Sequence, residues 1–293
     1  MKKYFIFILI TLYVLPAYSI SDYSAKYDFF ADTDFGNIKF GSAEYELEVT
    51  NNLYVFKSTA KTDQLWSAIY NYSVSETSFG LIEDDELIGD YYKIIENKGD
   101  SISDNYEINL YPKKGFASLN NEVLNNGFII SELEKLSDSE LILKAIDSGN
   151  FDKIKFAGNQ AKDNETPSYK KDLANKEDLI EALSDLSSDN NTPIVDVLSL
   201  YLNISEDIQK SPNKKVFTYQ VVDKTGIAQR EFTVTGLETI NIENSEVETI
   251  KIECPELRLT FNISKNHNFL PVYISKVNGK TSFQLILREY DHI

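Results

Sequence analysis

The stretch EFTVTGLETINIENSEVETIKIE, residues 231–253, decides the fold class. Apolar and polar residues alternate along it in two runs, which is the period of a half-buried strand and not of a helix. Thr239 and Thr249 add β-branched side chains, which favour strands. Gly236 interrupts the first run, and a lone glycine within a strand indicates a bulge or bend. The stretch therefore predicts two neighbouring strands, the first of them bent at Gly236.

The same alternation continues through most of the chain. In the first half, Asn51-Asn52 is a hairpin signal between two alternating runs, and Asn278-Gly279 is a second one near the C-terminus. Short, repeated turn signals are typical of an antiparallel meander rather than of β-α-β units. A sheet of this size must cover one of its faces, either by curling or by packing against helices. We therefore predict a mainly β protein, a β-rich α+β fold.

Helices are predicted only in the middle of the chain. Helical spacing of apolar residues indicates helices over 131–147 and 171–187. A third helix is predicted to begin at Thr192, as N-cap, and Pro193, as first helical residue, and to run to about 204. Because this segment is apolar nearly all round, we expect it to be deeply packed. We predict one β-rich domain over 20–293 rather than two independent domains.

The N-terminus has the layout of a secretory signal peptide. Lys2-Lys3 is followed by the apolar run YFIFILITLYVL, by Pro16 and by the small-residue pattern Ala17-Tyr18-Ser19. The apolar run is shorter than the roughly 20 residues that span a bilayer, so removal is favoured over retention as an anchor. Residues 1–19 are therefore predicted to be cleaved after Ser19, which places the mature chain in the periplasm.

Composition limits the possible partners. The formal net charge is −17, with 46 acidic against 29 basic residues. Nucleic acids and anionic lipid headgroups both require a basic surface, so the charge argues against both as partners. The single Cys254 has no second cysteine for an intramolecular disulfide, and its strand-like surroundings indicate a small buried hydrophobic residue rather than a nucleophile.

Several short motifs carry a family resemblance. In the C-terminal half they are Val234-Thr235-Gly236-Leu237-Glu238-Thr239, Glu248-Thr249-Ile250-Lys251-Ile252, Asn268-Phe269-Leu270-Pro271-Val272 and Val277-Asn278-Gly279-Lys280. Upstream they are Asp196-Val197-Leu198-Ser199, Ser75-Glu76-Thr77-Ser78 and an opening from Tyr23 to Glu48. Taken in chain order, these motifs resemble the secreted bacterial family known as domain of unknown function 3108. The resemblance extends over nearly the whole mature chain.

The resemblance implies a periplasmic protein built on a curved antiparallel sheet, forming an open or partly closed β-barrel, and it implies no established activity. The chain departs from the family pattern in two places. Phe261 stands where relatives often have Trp, and residues 117–190 are longer than the usual midsection. We therefore interpret 117–190 as a helical and loop insertion.

Signals for enzymatic chemistry are weak. There is no Gly-x-Ser-x-Gly elbow, and the two histidines, His267 and His292, are too few for a His-rich zinc site. The acidic run from Glu83 to Glu86 could attract calcium, but such a run is more often a solvated turn. Glu76 and Glu238 match family motifs and could act as a carboxylate pair on a glycan. The alternative is that each makes a structural hydrogen bond or salt bridge, for example to Lys251 or Arg230.

Aromatic residues suggest binding instead. The chain has 18 Tyr, 17 Phe and one Trp, many of them at alternating strand positions. A curved sheet lined in this way can hold an apolar ligand on its concave face. The candidate contacts are Tyr45, Phe56, Trp66, Tyr72 and Phe79; the alternative is that they fill the core against the 193–204 helix.

These observations predict a non-enzymatic protein with no catalytic, cofactor-binding or metal-binding residues. Its expected partner is a hydrophobic ligand or an apolar segment of an envelope protein. Two alternatives remain open. One is an envelope assembly or scaffolding factor with a filled core and no small ligand, and the more distant one is a carboxylate-dependent hydrolase of cell-wall glycan.

Overall fold

The computed structural model describes residues 20–129 and 192–292, except 34–35, 68–70, 85, 100, 113–115, 121, 126–127, 243–244 and 280. Within these ranges the chain forms sixteen strands, two α-helices and two short 3₁₀ turns. The strands are β1 (Tyr23–Thr33), β2 (Gly36–Thr50), β3 (Leu53–Thr62), β4 (Tyr72–Glu83), β5 (Glu86–Lys98), β6 (Ser101–Tyr111), β7 (Phe116–Leu119), β8 (Glu122–Asn125), β9 (Phe128–Ile129), β10 (Ile194–Asp196), β11 (Val216–Asp223), β12 (Gly226–Ile242), β13 (Ser245–Cys254), β14 (Leu259–Ser264), β15 (Leu270–Asn278) and β16 (Thr281–His292). The helices are α1 (Gln64–Ser67) and α2 (Ser199–Lys210), and the 3₁₀ turns are Pro255–Leu257 and Lys265–His267.

All sixteen strands belong to one sheet, in the order β10-β11-β12-β13-β14-β15-β16-β1-β2-β3-β4-β5-β6-β7-β8-β9. Every neighbouring pair is antiparallel except β10 and β11, which run parallel. Because β1 pairs with both β16 and β2, the N-terminal strand joins the two halves of the chain. Among the described strands the two ends of this order, β10 and β9, do not pair, so the sheet is curved but unclosed. The predicted fold class is confirmed.

The stretch 231–253 forms most of β12 and β13, which pair as predicted. The register of the pair shifts between Val234 and Gly236, and Gly236 has φ +155°. This backbone conformation is accessible to glycine and unfavourable for residues with a side chain, which explains why the bend occurs at this position. The bulge predicted from a single residue is therefore present.

The predicted helix after Pro193 begins later than expected. Ile194–Asp196 form β10, which pairs with β11, and α2 begins only at Ser199. A carboxylate oxygen of Asp196 accepts the backbone N–H groups of Leu198, at 2.9 Å, and Ser199, at 2.8 Å. The helix start at Thr192 was wrong because pairing with β11 and the Asp196 turn satisfy backbone groups that a helix would otherwise have used.

Helix α2 lies against the concave face of the sheet. Leu200, Ile204 and Ile208 are buried in the core, and the ring of Tyr201 contacts that of Phe261 on β14, with 5.3 Å between their centroids. On the same face Tyr54 and Phe56 of β3 are fully buried. The sheet therefore covers its apolar face both by curling and with one helix, and the prediction of deep helix packing is confirmed.

Close approach between strands is made possible by Gly80 on β4. A Cβ at this position would lie 2.1 Å from the carbonyl oxygen of Ile88 and 2.8 Å from the ring of Tyr54. The ring of Tyr54 therefore packs directly over the backbone of β4. Its hydroxyl lies near Gly89 of β5, where a Cβ would be 3.4 Å away.

The predicted helices 131–147 and 171–187, and the predicted signal peptide 1–19, lie outside the described residues. The midsection prediction, 117–190, is described only at its N-terminal end, which forms most of β7 and all of β8 and β9. No helix in the described part of the chain combines the length and the apolar character needed to cross a bilayer.

Candidate functional site

Two of the predicted contact residues lie deep in the core. Tyr45 on β2 and Phe56 on β3 are 5% and 0% exposed, and their rings meet edge to face at 5.7 Å. Neither side chain offers a surface to an external ligand in this structure. These two residues fill the core, which is the alternative that the sequence left open for them.

Trp66 lies elsewhere, in a cluster of aromatic rings at one end of the concave face. Its ring is 5.8 Å from that of Phe40, which in turn is 5.8 Å from that of Phe29. Phe283 of β16 continues the series at 5.8 Å from Phe29. All four side chains are only partly buried. We call Phe29, Phe40, Trp66 and Phe283 the aromatic cluster.

The remaining two candidates, Tyr72 and Phe79, lie on opposite faces of β4. Tyr72 is in phase with Ser78, which faces the core. Phe79 follows Ser78 by one residue and pairs with Val55, whose neighbours Tyr54 and Phe56 face the core. Phe79 therefore does not line the concave face, because successive side chains of a strand alternate between faces.

A cavity of about 90 Å³ lies between α2 and the strands β11, β12, β14 and β15. Its apolar lining comes from both the helix and the strands, for example from Leu200 and Leu259. Arg230, Lys276 and the hydroxyl-bearing Tyr201 also line it. A second, smaller cavity of about 50 Å³ lies beside the C-terminal half of α2, near Ser205 and Leu270.

Strand pairing joins the larger cavity to the aromatic cluster. Lys276 on β15 is the direct partner of Phe283 on β16, and Phe283 is the partner of Ala31 on β1, two residues from Phe29. The cations and the aromatic rings therefore lie at the same end of the curved sheet. We call this end, lined by Phe29, Arg230, Lys276 and Phe283, the mouth.

Glu76 lies on the concave face of β4, where its carboxylate accepts a 2.6 Å hydrogen bond from the hydroxyl of Tyr92. Burial raises the pKa of Glu76 above its ordinary value, while the Tyr92 hydrogen bond and the charge of Lys276 act in the opposite direction. The Tyr92 hydroxyl stays protonated, since burial and the neighbouring Glu76 raise its pKa further. This pair is a polar contact inside the barrel rather than an exposed acid.

Asp196 is the second buried carboxylate, with no exposed surface. It accepts hydrogen bonds from the hydroxyls of Ser78, at 2.8 Å, and Ser199, at 2.6 Å, besides the two backbone N–H groups at the start of α2. Burial raises its pKa, and these hydrogen bonds moderate the rise. Because its oxygens are occupied and shielded from solvent, Asp196 holds β10 and α2 against β4 and has no access to a substrate.

The structure does not bring Glu76 and Glu238 together. Their strands, β4 and β12, are eleventh and third in the order of the sheet. Glu238 accepts a 3.0 Å hydrogen bond from the side-chain amide of Asn262 and lies 3.9 Å from the ammonium group of Lys251. The structural role predicted for Glu238, with Lys251 as its partner, is therefore what the structure shows.

Cys254 is fully buried, as predicted. Burial raises the pKa of its thiol to about 11. No group of three or more His, Cys, Asp or Glu residues placed to hold a metal ion occurs in the part of the chain that the structure describes.

The sequence indicated Arg230 only as a possible salt-bridge partner of Glu76 or Glu238, and it did not single out Lys276. Among the described residues Lys251, and not Arg230, lies beside Glu238. A usable signal was present in the alternation of β12, in which Arg230 has the same phase as the buried Phe232. A cation in phase with core residues faces the concave side, but only the tertiary structure shows that Lys276 from β15 borders the same space.

Comparison with known proteins yields a likeness in structure but none in sequence. No family model matches the chain, and no curated protein matches it. The chain is similar to a solved structure described as a beta-barrel-like protein of domain of unknown function DUF1849 from Brucella abortus, with a TM-score of 0.46 and 10% identity. The match covers 94% of this chain and 98% of the other. The resemblance to domain of unknown function 3108 stays a prediction.

Proposed function

We propose that this protein is a non-enzymatic binding protein that holds an apolar group at the mouth of its open barrel. The observation that carries the proposal is the aromatic cluster, whose four rings stay partly exposed while the concave face beyond them is filled by side chains. Burying an aromatic ring that remains in contact with water is favourable, so such a cluster gains free energy when an apolar group covers it. Binding at the mouth replaces binding deep in the concave face, because Tyr45 and Phe56 occupy that space.

Two features support a binding role over catalysis. The buried carboxylates Glu76 and Asp196 are engaged by hydroxyl and backbone donors inside the barrel, and Glu238 lies on a distant strand. Glycoside hydrolysis requires two carboxyl groups flanking one bond in a cleft. These three carboxylates do not flank a common cleft, whereas the aromatic cluster provides an apolar surface.

The proposal is tested with the fluorescence of Trp66, the one tryptophan of the chain. Because its ring belongs to the aromatic cluster, an apolar ligand at the mouth should shift its emission to shorter wavelength and change its intensity. Titration with lipids extracted from the envelope, together with native mass spectrometry of protein purified from the periplasm, measures uptake. The proposal is overturned if the purified protein carries no lipid, takes up no lipid and keeps an unchanged Trp66 spectrum.

The same purification separates the two expected occupants of the mouth. A hydrophobic ligand should co-purify as a small molecule, which native mass spectrometry resolves by its mass. An apolar segment of an envelope protein should instead appear as a polypeptide. Substituting Phe29 and Phe283 by Ser should release either occupant, and the matched control is Phe79→Ser on the opposite face of the sheet.

We also propose that the protein acts in the periplasm. The signal-peptide layout before Ile20 supports this location. The test is N-terminal sequencing of the periplasmic protein, with Ile20 as the expected first residue. A mature protein that begins at Met1, or that stays in the cytoplasmic fraction, contradicts the proposed location without affecting the binding site.

A further inference from the structure

We propose that the mouth selects amphiphiles with an anionic headgroup, which Arg230 and Lys276 bind while the apolar chain lies on the aromatic cluster. This inference deepens the proposed binding function and rests on it. The ligand class is an acyl chain that ends in a carboxylate or a phosphate group. Both groups offer several oxygen acceptors, which a guanidinium and an ammonium group bind through charge-assisted hydrogen bonds.

The two cations are available for a ligand. Among the described residues, the side chains of Arg230 and Lys276 have neither a hydrogen-bond partner nor an ion-pair partner within 4 Å. Most other described lysines do have such a partner, for example Lys26, which lies 2.8 Å from Glu289. The cationic side chains of Arg230 and Lys276 line the same cavity, which gives an anionic group two positive charges to bind.

The remaining polar groups of the cavity fit the same ligand. Tyr201 lines the cavity, and burial raises the pKa of its phenol, so its hydroxyl is a hydrogen-bond donor at neutral pH. Asp223 also lines the cavity, but one of its oxygens accepts hydrogen bonds from the N–H, at 2.7 Å, and the hydroxyl, at 2.5 Å, of Thr225. This carboxylate is held in the β11–β12 turn. Glu76 interacts electrostatically with Lys276 from within the barrel, where its carboxylate already accepts the hydrogen bond of the Tyr92 hydroxyl.

Cavity size indicates which part of the ligand lies where. A volume of about 90 Å³ accommodates a few heavy atoms but not an acyl chain, since an engineered cavity that binds benzene measures about 150 Å³. The headgroup therefore fits between Arg230 and Lys276, and the chain must leave the cavity. The pairing of Lys276 with Phe283 leads directly onto the aromatic cluster, where the chain finds an apolar surface.

The negative net charge does not oppose this site. Charges more than about 8–10 Å from a bound headgroup are screened at physiological ionic strength, so the nearest groups decide the interaction. The net charge of −17 argues against adhesion to a broad anionic surface, which would contact many carboxylates. A single anion bound at the mouth is close to the positive charges of Arg230 and Lys276.

The experiment is a Trp66 fluorescence titration below the micelle concentration, with calorimetry as a second readout. The probes are dodecanoate, lauroyl lysophosphatidylglycerol, the zwitterionic lauroyl lysophosphatidylcholine and neutral dodecanol. We expect the wild type to bind one or both anionic probes about tenfold or more tightly than dodecanol. A carboxylate ligand is indicated if dodecanoate binds best, and a phosphate ligand if the lysophosphatidylglycerol does.

The variants are Lys276→Gln, whose side chain is exposed, and the double variant Arg230→Gln/Lys276→Gln. We expect the double variant to lose the preference for anions and to bind dodecanol as the wild type does. The control is Lys26→Gln/Lys57→Gln, which removes the same net charge from the outer face of the sheet and should preserve the preference. Equal binding of anionic and neutral probes by the wild type overturns the headgroup inference but leaves the binding function intact. No binding of any probe overturns both.

Discussion

The hydroxyl of Ser78 on β4 donates a 2.8 Å hydrogen bond to the carboxylate of Asp196 on β10. These residues are 118 positions apart, and their strands do not pair with each other. The contact holds β10, the first strand of the sheet order, against β4, which lies in the opposite half of that order. This side-chain hydrogen bond therefore stabilises the curvature of the sheet between two strands that are not joined by backbone pairing.

Replacing Asp196 by Ala should destabilise the protein strongly. The substitution leaves the hydroxyls of Ser78 and Ser199 and the N–H groups at the start of α2 without their acceptor, and buried unsatisfied groups of this kind cost on the order of 3 kcal/mol together. Urea unfolding followed by circular dichroism measures the loss. The matched control is Asp104→Asn, since Asp104 pairs with Lys224 at the surface and exposed pairs contribute about 1 kcal/mol or less. Equal losses for the two variants would contradict the role assigned to Asp196.

The stability contributed by Glu76 should fall as pH rises. Burial raises its folded-state pKa above the ordinary value of 4.5, so between these values the native state binds more protons than the unfolded state. The contribution is fully present below pH 4.5 and is lost as pH rises through the folded pKa. Asp104, Glu107 and Glu289 have lowered pKa values through their lysine partners and act in the opposite direction, so the whole-protein slope does not isolate Glu76.

The difference between the wild type and Glu76→Gln isolates it. Gln keeps an acceptor for Tyr92 but does not titrate, so the free energy of unfolding of the variant, relative to the wild type, should increase between pH 4 and pH 8. Urea titrations at several pH values measure this difference. Glu238→Gln is the control on an exposed carboxylate. A pH-independent difference for Glu76→Gln would show that its carboxyl group does not change its pKa on folding.

Gly80→Ala should disrupt the packing of Tyr54 against β4. The added Cβ would lie 2.1 Å from the carbonyl oxygen of Ile88, so the backbone must shift, at a cost of about 2 kcal/mol or more. Gly89→Ala is the matched control, because its Cβ would lie 3.4 Å from the Tyr54 hydroxyl, at the edge of ordinary contact. Thermal unfolding of both variants measures the contrast. A Gly80→Ala protein as stable as Gly89→Ala would falsify the close approach of β4 and Tyr54.

Cys254 should react slowly with thiol reagents in the folded protein. Its side chain is fully buried, and with a pKa of about 11 the thiolate makes up roughly one part in a thousand at pH 8. Colorimetric reaction with a disulfide reagent should need hours in buffer and seconds in guanidinium. An exposed reference thiol, Thr59→Cys in a Cys254→Ala background, should react rapidly in both. Fast reaction of native Cys254 would place it at the surface.

The strands were the most predictable part of the fold. The hairpins at Asn51-Asn52 and at Asn278-Gly279 occur where predicted, because turn residues and alternation act within a few positions of each other. The start of α2 was mispredicted because β10 forms only by pairing with β11, more than twenty residues away. The residues around Thr192 do not indicate a pairing partner that lies so far along the chain.

The candidate site was predicted less well. All five candidates were chosen for their aromatic character. Trp66 belongs to the aromatic cluster and Tyr72 lies on the core-facing side of β4, whereas Tyr45 and Phe56 are core and Phe79 is on the other face. Aromatic character is the same in all five. The five residues differ in the face of the sheet that they occupy and in their distance from the end of the barrel. That distance depends on how far each strand extends past its neighbours.

The sequence by itself determined the strands, their alternation and the bulge at Gly236, since these depend on side-chain period and backbone freedom over a few residues. Only the tertiary structure decided that Asp196 reaches Ser78, that Tyr45 and Phe56 fill the interior, and that Arg230 and Lys276 border one cavity next to Phe283. Each of these juxtapositions joins residues from different strands of a curved sheet. The curvature is set by the packing of the whole core, which no short segment of the chain specifies.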